Sequence, residues 1–390
     1  MPFRGRSAFG RRGGPVRLDS GAMARTPSGV RQGATLTLVF GAVLLAGAAT
    51  GAWGEPPGPP RPASMDTARR AVDLTPQQAE QFAATGGDPW AAYYSPEAYR
   101  DFVQGRYPGV GLTVGRLPDG GTAVSQVQPS GPAERAGIAA GDRLLSVDGV
   151  PTDRLPVTEV VARLRGRGRG GRGAGSAVAL GVQRPGGPVR QLALRRQLLA
   201  AQEVAVERPR PGVVRVAVRG FTDGVAEQVR AAVQGARGVV LDLRGNSGGL
   251  VEEAARTASV FLDGGQVGWY ESRGERHELT AARGGDTATP LVVLVDGGTM
   301  SAAELLAGAL QDRCRAVLVG FRTFGKGTVQ QPSRLADGSV LELTVGRYHT
   351  PAGRTPDGTG LTPDVPLPAG GTPQDALALA DTVLSGLGRG

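Results

Sequence analysis

Two apolar strand patterns each run directly into a glycine-containing turn and then a helix, and this repeat constrains the fold more than any other feature of the chain. The strands occupy residues 239–244 and 291–296, and the helices that follow them are predicted over residues 250–261 and 302–311. Repeated strand–helix units are typical of a layered structure in which helices cover a mostly parallel sheet. We therefore expect a layered α/β core over residues 199–370.

Shorter patterns complete this core. A strand at residues 213–218 precedes a helix that starts near Thr222, and a return strand at residues 316–319 follows the second of the repeated helices. That return strand brings the chain back to the sheet end at which the glycine turns lie. A C-terminal helix or tail is expected at residues 371–390.

Residues 103–198 carry a different pattern, with a glycine-containing loop before an alternating strand. Two further segments follow, Ser-Gly-Pro-Ala-Glu-Arg-Ala-Gly-Ile at 130–138 and Gly-Asp-Arg-Leu-Leu-Ser-Val-Asp-Gly at 141–149, and then a helix at 157–164. That order resembles a PDZ domain, in which an extended peptide adds to a sheet edge and its terminal carboxylate rests on backbone amides. The resemblance places the carboxylate-binding loop at Gly109, Val110, Gly111 and Leu112.

The first 54 residues are typical of an export signal. An arginine-rich segment ends at Arg31, and residues 34–52 are almost wholly apolar, which is close to the roughly 20 residues that cross a bilayer. Small residues around Ala52 fit a cleavage site, so a cleaved signal and a retained membrane anchor both stay open. The true start, Met1 or Met23, is equally open. Either form predicts export to the periplasm or cell envelope.

A Pro-rich tether at residues 55–65 and a helical segment at residues 66–102 separate the signal from the PDZ-like unit. Thr75-Pro76 and Ser95-Pro96 are helix-start signals within that segment. Between them, residues 88–94 predict an aromatic turn.

Charge and cysteine content exclude several classes of function. The formal charge is +9, but residues 1–54 hold seven arginines and one acid, which leaves 37 cations and 34 anions in the remainder. This balance argues against a nucleic-acid partner, and the Arg/Gly-rich stretch at residues 165–175 is interpreted as a solvated loop. Cys314 is the only cysteine, so no intramolecular disulfide forms, and no Cys/His cluster has metal-ligand spacing. We expect neither a metal nor a cofactor.

Lys326 is the only lysine of the chain, since every other residue among the 44 lysines and arginines is an arginine. Arginine keeps its proton in proteins, whereas lysine loses it when the surroundings lower its pKa. A shift from ~10.4 to near 7 costs about 4–5 kcal/mol, which burial in apolar surroundings can supply. Phe324 and the small residues Gly325 and Gly327 suit such a tight pocket, so Lys326 is a candidate general base.

Ser301 lies at the second glycine turn, immediately before a predicted helix. Helix starts present free N–H donors, so the amides of Ala302 and of Gly248 or Gly249 are candidates for binding an oxyanion. A serine hydroxyl becomes a good nucleophile only when a base takes its proton. Neither histidine lies in a glycine turn, whereas Lys326 follows Ser301 by 25 residues, after a helix and the return strand.

Six short segments resemble those of the carboxyl-terminal processing proteases, also called tail-specific proteases. The most specific is Phe-Gly-Lys-Gly-Thr-Val-Gln at residues 324–330. The others are Asp-Pro-Trp at 88–90, the glycine-rich run at 241–249, Ser-Ala-Ala-Glu at 301–304, and the C-terminal segments at 347–351 and 360–365. The likeness covers about residues 66–370 and implies a crotonase- or ClpP-like α/β protease core with an inserted PDZ domain.

By that resemblance, Ser301 is the nucleophile, Lys326 the general base, and Gln330 the residue that orients the lysine. The resemblance implies a Ser–Lys serine endopeptidase that binds unstructured C-terminal tails of protein substrates, and it leaves room for an adaptor or activator. Thr299 and Ala303 stand where the family usually has serine, but neither is the nucleophile.

Other residues receive structural interpretations. Ser247 competes as nucleophile but lies in the run assigned to oxyanion binding. His349 is expected to pack, His277 to lie at the surface and Cys314 to lie in the core. Asp242 and Asn246 are expected to shape the glycine turn and Glu304 to support the helix start.

Two other classes of function remain open on the sequence alone. The first is a non-enzymatic PDZ scaffold of the cell envelope with a decayed protease core. The second is an acyl-transfer enzyme related to the crotonases, which also use paired backbone amides.

Overall fold

The computed structural model describes residues 74–388 except Pro118, Arg154, residues 167–172, Arg273 and Ala369. The predicted export signal, the tether and most of the Arg/Gly-rich stretch lie outside the described residues. Within the described part, none of the helices combines the length and apolar character needed to span a bilayer.

Helices and strands alternate along the described chain. The helices are α1 (Pro76–Thr85), α2 (Pro96–Val103), α3 (Pro132–Arg135), α4 (Val157–Leu164), α5 (Val225–Val233), α6 (Val251–Phe261), α7 (Ala302–Asp312) and α8 (Pro373–Leu387). The strands before the core are β1 (Ala92–Tyr94), β2 (Arg106–Gly109), β3 (Leu112–Arg116), β4 (Thr122–Val127), β5 (Arg143–Val147), β6 (Val150–Pro151), β7 (Ala177–Gln183), β8 (Val189–Arg195) and β9 (Gln197–Ala200). The remaining strands are β10 (Val204–Arg210), β11 (Val213–Val218), β12 (Gly238–Asp242), β13 (Gln266–Ser272), β14 (Glu275–Thr280), β15 (Leu291–Val295), β16 (Val317–Gly320), β17 (Thr328–Arg334), β18 (Val340–His349) and β19 (Val365–Pro366).

The central sheet has the order β10-β11-β12-β15-β16-β19. Its strands are parallel from β11 to β19, and only β10 runs antiparallel, as a hairpin with β11. Every residue of β12 and β15 is buried, as expected for strands covered on both faces. The predicted layered α/β core with a mostly parallel sheet is confirmed.

Helices cover both faces of this sheet. Side chains of α5, α6 and α7 pack on one face in the larger hydrophobic cluster, and α8 packs on the other face through Ala376, Ala380 and Leu384. Helix α5 starts at Val225, three residues later than predicted, because Gly224 before it has a left-handed backbone with φ of +86°.

A second sheet, with the order β1-β18-β13-β14 and with β17 paired to β18, stands beside the core. Strand β1 pairs with β18, so that Ala92 faces Glu342 and Tyr94 faces Val340. The segment predicted as an aromatic turn therefore contains a strand, and it attaches the N-terminal helices to the second sheet.

The PDZ-like unit has a separate sheet, β3-β4-β5-β7-β8, with β6 on β5, and its own hydrophobic cluster that includes Val160 and Leu164 of α4. The two-stranded ribbon of β2 and β9 joins this unit to the core. Helix α4 covers the residues predicted from the sequence.

Candidate active site

The two glycine turns lie side by side at the carboxyl ends of β12 and β15, and short polar contacts hold them together. Three hydrogen bonds make the connection: Thr299 Oγ1 to the carbonyl of Leu243 (2.9 Å), Gly245 N to Asp296 Oδ1 (2.9 Å), and Met300 N to the carbonyl of Asn246 (2.9 Å). Thr299 keeps the hydroxyl of the serine that the family usually has. The first turn is therefore fixed against the residue that precedes Ser301.

Asn246 shapes the first turn from inside. It is fully buried; its side-chain amide donates to the carbonyl of Val218 (3.0 Å), and its Oδ1 accepts from Gly248 N (2.8 Å). The Asp242 carboxylate accepts hydrogen bonds from the backbone amide and from the guanidinium of Arg244. Both residues have the structural role expected from the sequence. Asn246 Oδ1 occupies the amide of Gly248, whereas Gly249 N, the other predicted oxyanion donor, has no hydrogen-bond acceptor among the described residues.

Glycine is required at positions 248 and 249 by close approach. A Cβ on Gly248 would lie 3.0 Å from Ser301 Cβ and 3.2 Å from Ala302 N, so this glycine lets the turn touch the start of α7. A Cβ on Gly249 would lie 2.3 Å from the carbonyl oxygen of Phe221. Both residues also have positive φ, +99° and +135°, which favours glycine.

Gly249→Ala is expected to destabilise the protein by about 2–4 kcal/mol, because a left-handed backbone strain adds to a steric clash with Phe221. Activity should fall with stability, since the turn that carries the proposed oxyanion donors must shift away from Phe221. Gly245→Ala is the matched control: it has φ of +67°, but its Cβ would meet nothing within 4 Å. Chemical denaturation measures both variants, and equal losses would contradict the close-approach argument.

Ser301 has an unusual backbone for a residue with a side chain, with φ of 56° and ψ of −120°. Such positive-φ conformations cost about 1–3 kcal/mol and persist only where the surroundings enforce them. Ser301 N donates to Glu304 Oε2 (3.0 Å), and the Ser301 carbonyl accepts from the Tyr348 hydroxyl (3.0 Å). The side chain is half-buried at the start of α7, where the amide of Ala302 is a free helix-start donor.

Glu304 connects the serine to the lysine segment. Its Oε1 accepts from Thr323 Oγ1 (2.5 Å) and Gly325 N (2.8 Å), and its Oε2 accepts from Lys326 N (2.9 Å) as well as Ser301 N. The carboxylate is fully buried; burial raises its pKa, and these four donors oppose the shift. The helix-start role predicted for Glu304 is confirmed, but no sequence pattern indicated the bonds to residues 323–326.

Lys326 is buried, with 5% of the residue exposed. Its Nζ lies 4.3 Å from the centre of the Trp90 ring, and the Trp90 ring meets Phe324 edge-on at 6.4 Å. Burial lowers the pKa of Lys326 to about 8, against the opposing effects of Glu342, Asp88 and Glu304. The ammonium is therefore still the major form near neutral pH, and the share of neutral amine grows as the pH rises through this value.

Glu342 on β18 is a neighbour of Lys326 that the sequence analysis did not single out. Burial raises the pKa of Glu342 to about 7, and the charge of Lys326 acts against that shift. Among the described residues, no carboxylate forms an ion pair with Lys326. The carboxylates around the amine thus act on it through space rather than through a salt bridge.

Gln330 lies on β17, next to a register shift between Val329 and Gln330. Its side-chain amide donates to Thr328 Oγ1 (3.0 Å) and Thr344 Oγ1 (3.1 Å). Within the described part of the chain, neither Gln330 nor Ser301 forms a hydrogen bond with Lys326 Nζ. The orienting role of Gln330 stays a prediction.

The remaining candidates have no part in this cluster. His349 stacks on Trp269 at 3.9 Å, and His277 is half-buried against Tyr270. Cys314 was expected in the core, but it is exposed just after α7, where the chain turns with φ of 51°, so that prediction was wrong.

The predicted carboxylate loop of the PDZ-like unit lies between β2 and β3. Its carbonyls at Val110 and Gly111 accept from Ala133 N (2.9 Å) and Gln128 N (2.9 Å), which fixes the loop against the following segment. Gly111 has φ of +79°, a conformation that glycine adopts without strain.

Comparison with known proteins decides the family. A model of peptidase family S41 matches residues 212–367, and a PDZ domain model matches residues 123–170. The carboxyl-terminal-processing protease of Synechocystis is 36% identical over 300 residues, which cover 73% of this chain and 69% of the relative. The chain belongs to the carboxyl-terminal processing protease family. The corresponding protease of Picosynechococcus is 36% identical and is aligned over 72% of this chain and 70% of its own length.

A chloroplastic carboxyl-terminal-processing peptidase 2 of Arabidopsis thaliana is also 36% identical, over 74% of this chain but only 59% of the relative. The chain thus spans between 59% and 70% of the length of these carboxyl-terminal processing relatives. The core and the PDZ domain are the parts of this family that the matched models cover.

Proposed function

We propose that this protein is an exported serine endopeptidase that binds the C-terminal tails of protein substrates and cleaves them by a Ser–Lys mechanism. The observation that carries the proposal is the Glu304 carboxylate, which joins the backbones of Ser301 and Lys326 in one buried cluster. This one carboxylate accepts hydrogen bonds from the backbone amides of both the proposed nucleophile and the only lysine of the sequence. Membership of the family supports the same activity.

In this mechanism neutral Lys326 takes the proton of the Ser301 hydroxyl, and the serine oxygen attacks the substrate carbonyl. The amides of Ala302 and Gly249 stabilise the oxyanion, a contribution of roughly 3–4 kcal/mol per donor in comparable sites. The leaving amine takes the proton from Lys326, and water then releases the acyl group from the serine. Gln330 orients the amine during these transfers.

The PDZ domain supplies the substrate class. A free C-terminal carboxylate is bound at the loop of Gly109, Val110, Gly111 and Leu112, and the peptide chain adds to the edge of the domain. Such binding needs an extended segment, so substrates have unstructured tails. An adaptor or activator is an additional expected partner.

Export is proposed from the sequence of residues 1–54. An arginine-rich segment followed by an apolar run supports a location in the periplasm or cell envelope, either released or held by residues 34–52. Fractionation of cells that express the full chain, with N-terminal sequencing of the product, distinguishes a cleaved signal from a retained anchor.

The proteolytic function is tested with an unfolded protein that has a free apolar C-terminus. The full chain should degrade it, whereas Ser301→Ala should bind it without cleavage. Ser247→Ala is the matched control, because this serine lies in the adjacent turn and should retain activity. Degradation by Ser301→Ala would refute the assignment of the nucleophile.

The activity should rise with pH through a midpoint near 8, because only the neutral form of Lys326 accepts a proton and the pKa of Lys326 is about 8. Glu342→Gln removes a negative charge that stabilises the ammonium, so the pKa should fall. The rise in kcat/KM should then move to lower pH by roughly one unit. Glu275→Gln, an exposed change on β14, should leave the profile in place. A shift to higher pH in Glu342→Gln would contradict the electrostatic account.

A further inference from the structure

The Asp-Pro-Trp turn reaches the proposed catalytic residues from the N-terminal segment, more than 200 residues away along the chain. Asp88 Oδ1 accepts from Trp90 N (3.0 Å), which fixes the turn. The same carboxylate accepts from the Thr344 hydroxyl (3.0 Å) and from Thr344 N (2.7 Å). Thr344 in turn accepts from the side-chain amide of Gln330 (3.1 Å). Asp88 therefore supports both the ring beside Lys326 and the side chain of Gln330.

The contact between Trp90 and Lys326 is selective for the charged amine. The face of an indole carries negative electrostatic potential, so it attracts an ammonium group within about 6 Å of the ring centre. Lys326 Nζ lies 4.3 Å from that centre, with no ion pair to compete for it in the described residues. A neutral amine lacks this attraction.

We propose that Trp90 is a positioning residue for the proposed protease reaction, whose ring holds the Lys326 ammonium in a resting place and releases the amine once it is neutral. The inference rests on the proposed function of Lys326 as general base. It explains why the amine makes no hydrogen bond to Ser301 in the structure, although Glu304 holds both backbones. Once the ammonium has given its proton to solvent, the amine turns from the ring towards the serine hydroxyl.

Other titratable groups also face the Lys326 amine. Glu342 on β18, Asp88 in the turn and Glu304 on α7 are the carboxylates whose charges favour the ammonium. None of them holds the amine in an ion pair, so Trp90 is the group that fixes its place. The ring also keeps water away from the amine, together with Phe324.

Tryptophan fluorescence tests the contact without relying on activity. A full chain with Trp53→Phe and Trp269→Phe keeps Trp90 as its only indole. Its emission should change with pH through a midpoint near 8, as Lys326 loses its proton. Adding Lys326→Met should remove this transition. A transition that persists without Lys326, or none in the parent variant, would overturn the inference.

Enzyme kinetics test the positioning role. In Trp90→Leu an apolar side chain still excludes water but offers no attraction for the ammonium. Its kcat at high pH should change little, because the ring attracts only the charged amine, and the rise of kcat/KM should move to lower pH by about half to one unit. Trp90→Phe should restore most of the original pH profile. A uniform loss of activity with an unchanged pH profile would overturn the positioning role.

Trp269→Leu is the matched control, because Trp269 also has a cation over its ring, Arg276 at 4.1 Å, but it lies on β13 in the second sheet. This variant should not move the pH profile. Failure of the proposed mechanism and failure of this inference are distinguishable. An active Lys326→Arg variant would contradict the general-base mechanism, whereas a missing fluorescence transition would contradict only the role of Trp90.

Discussion

The Lys326→Arg variant is expected to lose at least about four orders of magnitude in kcat/KM, because arginine keeps its proton and cannot act as the base. The substitution preserves the positive charge and the contact with the Trp90 ring, so it isolates the ability to be neutral. Peptide binding to the PDZ domain should be unchanged. Steady-state cleavage of an unfolded substrate, with tail binding measured separately, provides both readouts.

Two further variants control that experiment. Lys326→Met is neutral and similar in length, and it should be as inactive as the arginine variant. Arg230→Lys exchanges the same two residue types in the opposite direction, on the exposed side of α5, and should leave activity intact. If Lys326→Arg retains more than about one-tenth of the activity, a permanent cation suffices at this position and the general-base assignment is wrong.

Glu304→Gln is expected to have the largest effect on stability, with a loss of about 3–5 kcal/mol and a complete loss of activity. The carboxylate accepts four hydrogen bonds while it is buried, and two of the donors come from Ser301 N and Lys326 N. Glutamine replaces one acceptor oxygen with an NH₂ group, which cannot accept a hydrogen bond. The two donors that face this oxygen would then lose their acceptor. Breaking such a buried network by changing one member typically costs this much.

Glu253→Gln is the matched control for this prediction. Glu253 is also a buried glutamate near the start of a helix, but within the described part of the chain it accepts only from Ala226 N (2.8 Å) and from the guanidinium of Arg256 (3.1 Å). Its substitution should cost clearly less and should leave activity intact. Urea denaturation gives both free energies of unfolding, and an equal or smaller loss in Glu304→Gln would contradict the central place given to this carboxylate.

The sequence predicted those parts of the fold that local patterns encode. The strand at Val213–Val218 and the helix at Val157–Leu164 follow from the periodicity of their apolar residues, and Thr75 and Ser95 cap their helices as expected. Two bounds in this core were misplaced: α5 starts later because of the left-handed Gly224, and the strand predicted over residues 239–244 ends at Asp242.

Contacts between distant segments were not predictable in the same way. Residues 88–94 contain too few residues with strand character to reveal β1, which exists because β18 offers it an edge about 250 residues later. The same pairing brings Trp90 to Lys326 and Asp88 to Thr344. The sequence pattern alone does not determine the register in which two strands so distant in sequence pair.

The residues of the candidate site were easier to predict than the contacts between them. The solitary lysine and the glycine turns indicated which residues belong to the site, whereas Glu342 and the full role of Glu304 depend on burial. Cys314 was misplaced because a cysteine between apolar segments is usually buried, but here it lies in the exposed turn between α7 and β16.

Covalent labelling of Ser301 tests the Ser–Lys mechanism at the reacting residue itself. The full chain is treated with a fluorophosphonate at several pH values, and the modified residue is identified by mass spectrometry of the digested protein. Ser301 should be modified, at a rate that rises with pH through a midpoint near 8, and Lys326→Met should abolish the reaction. Modification of Ser247 instead, or labelling of Ser301 at an equal rate without Lys326, would contradict the Ser–Lys account.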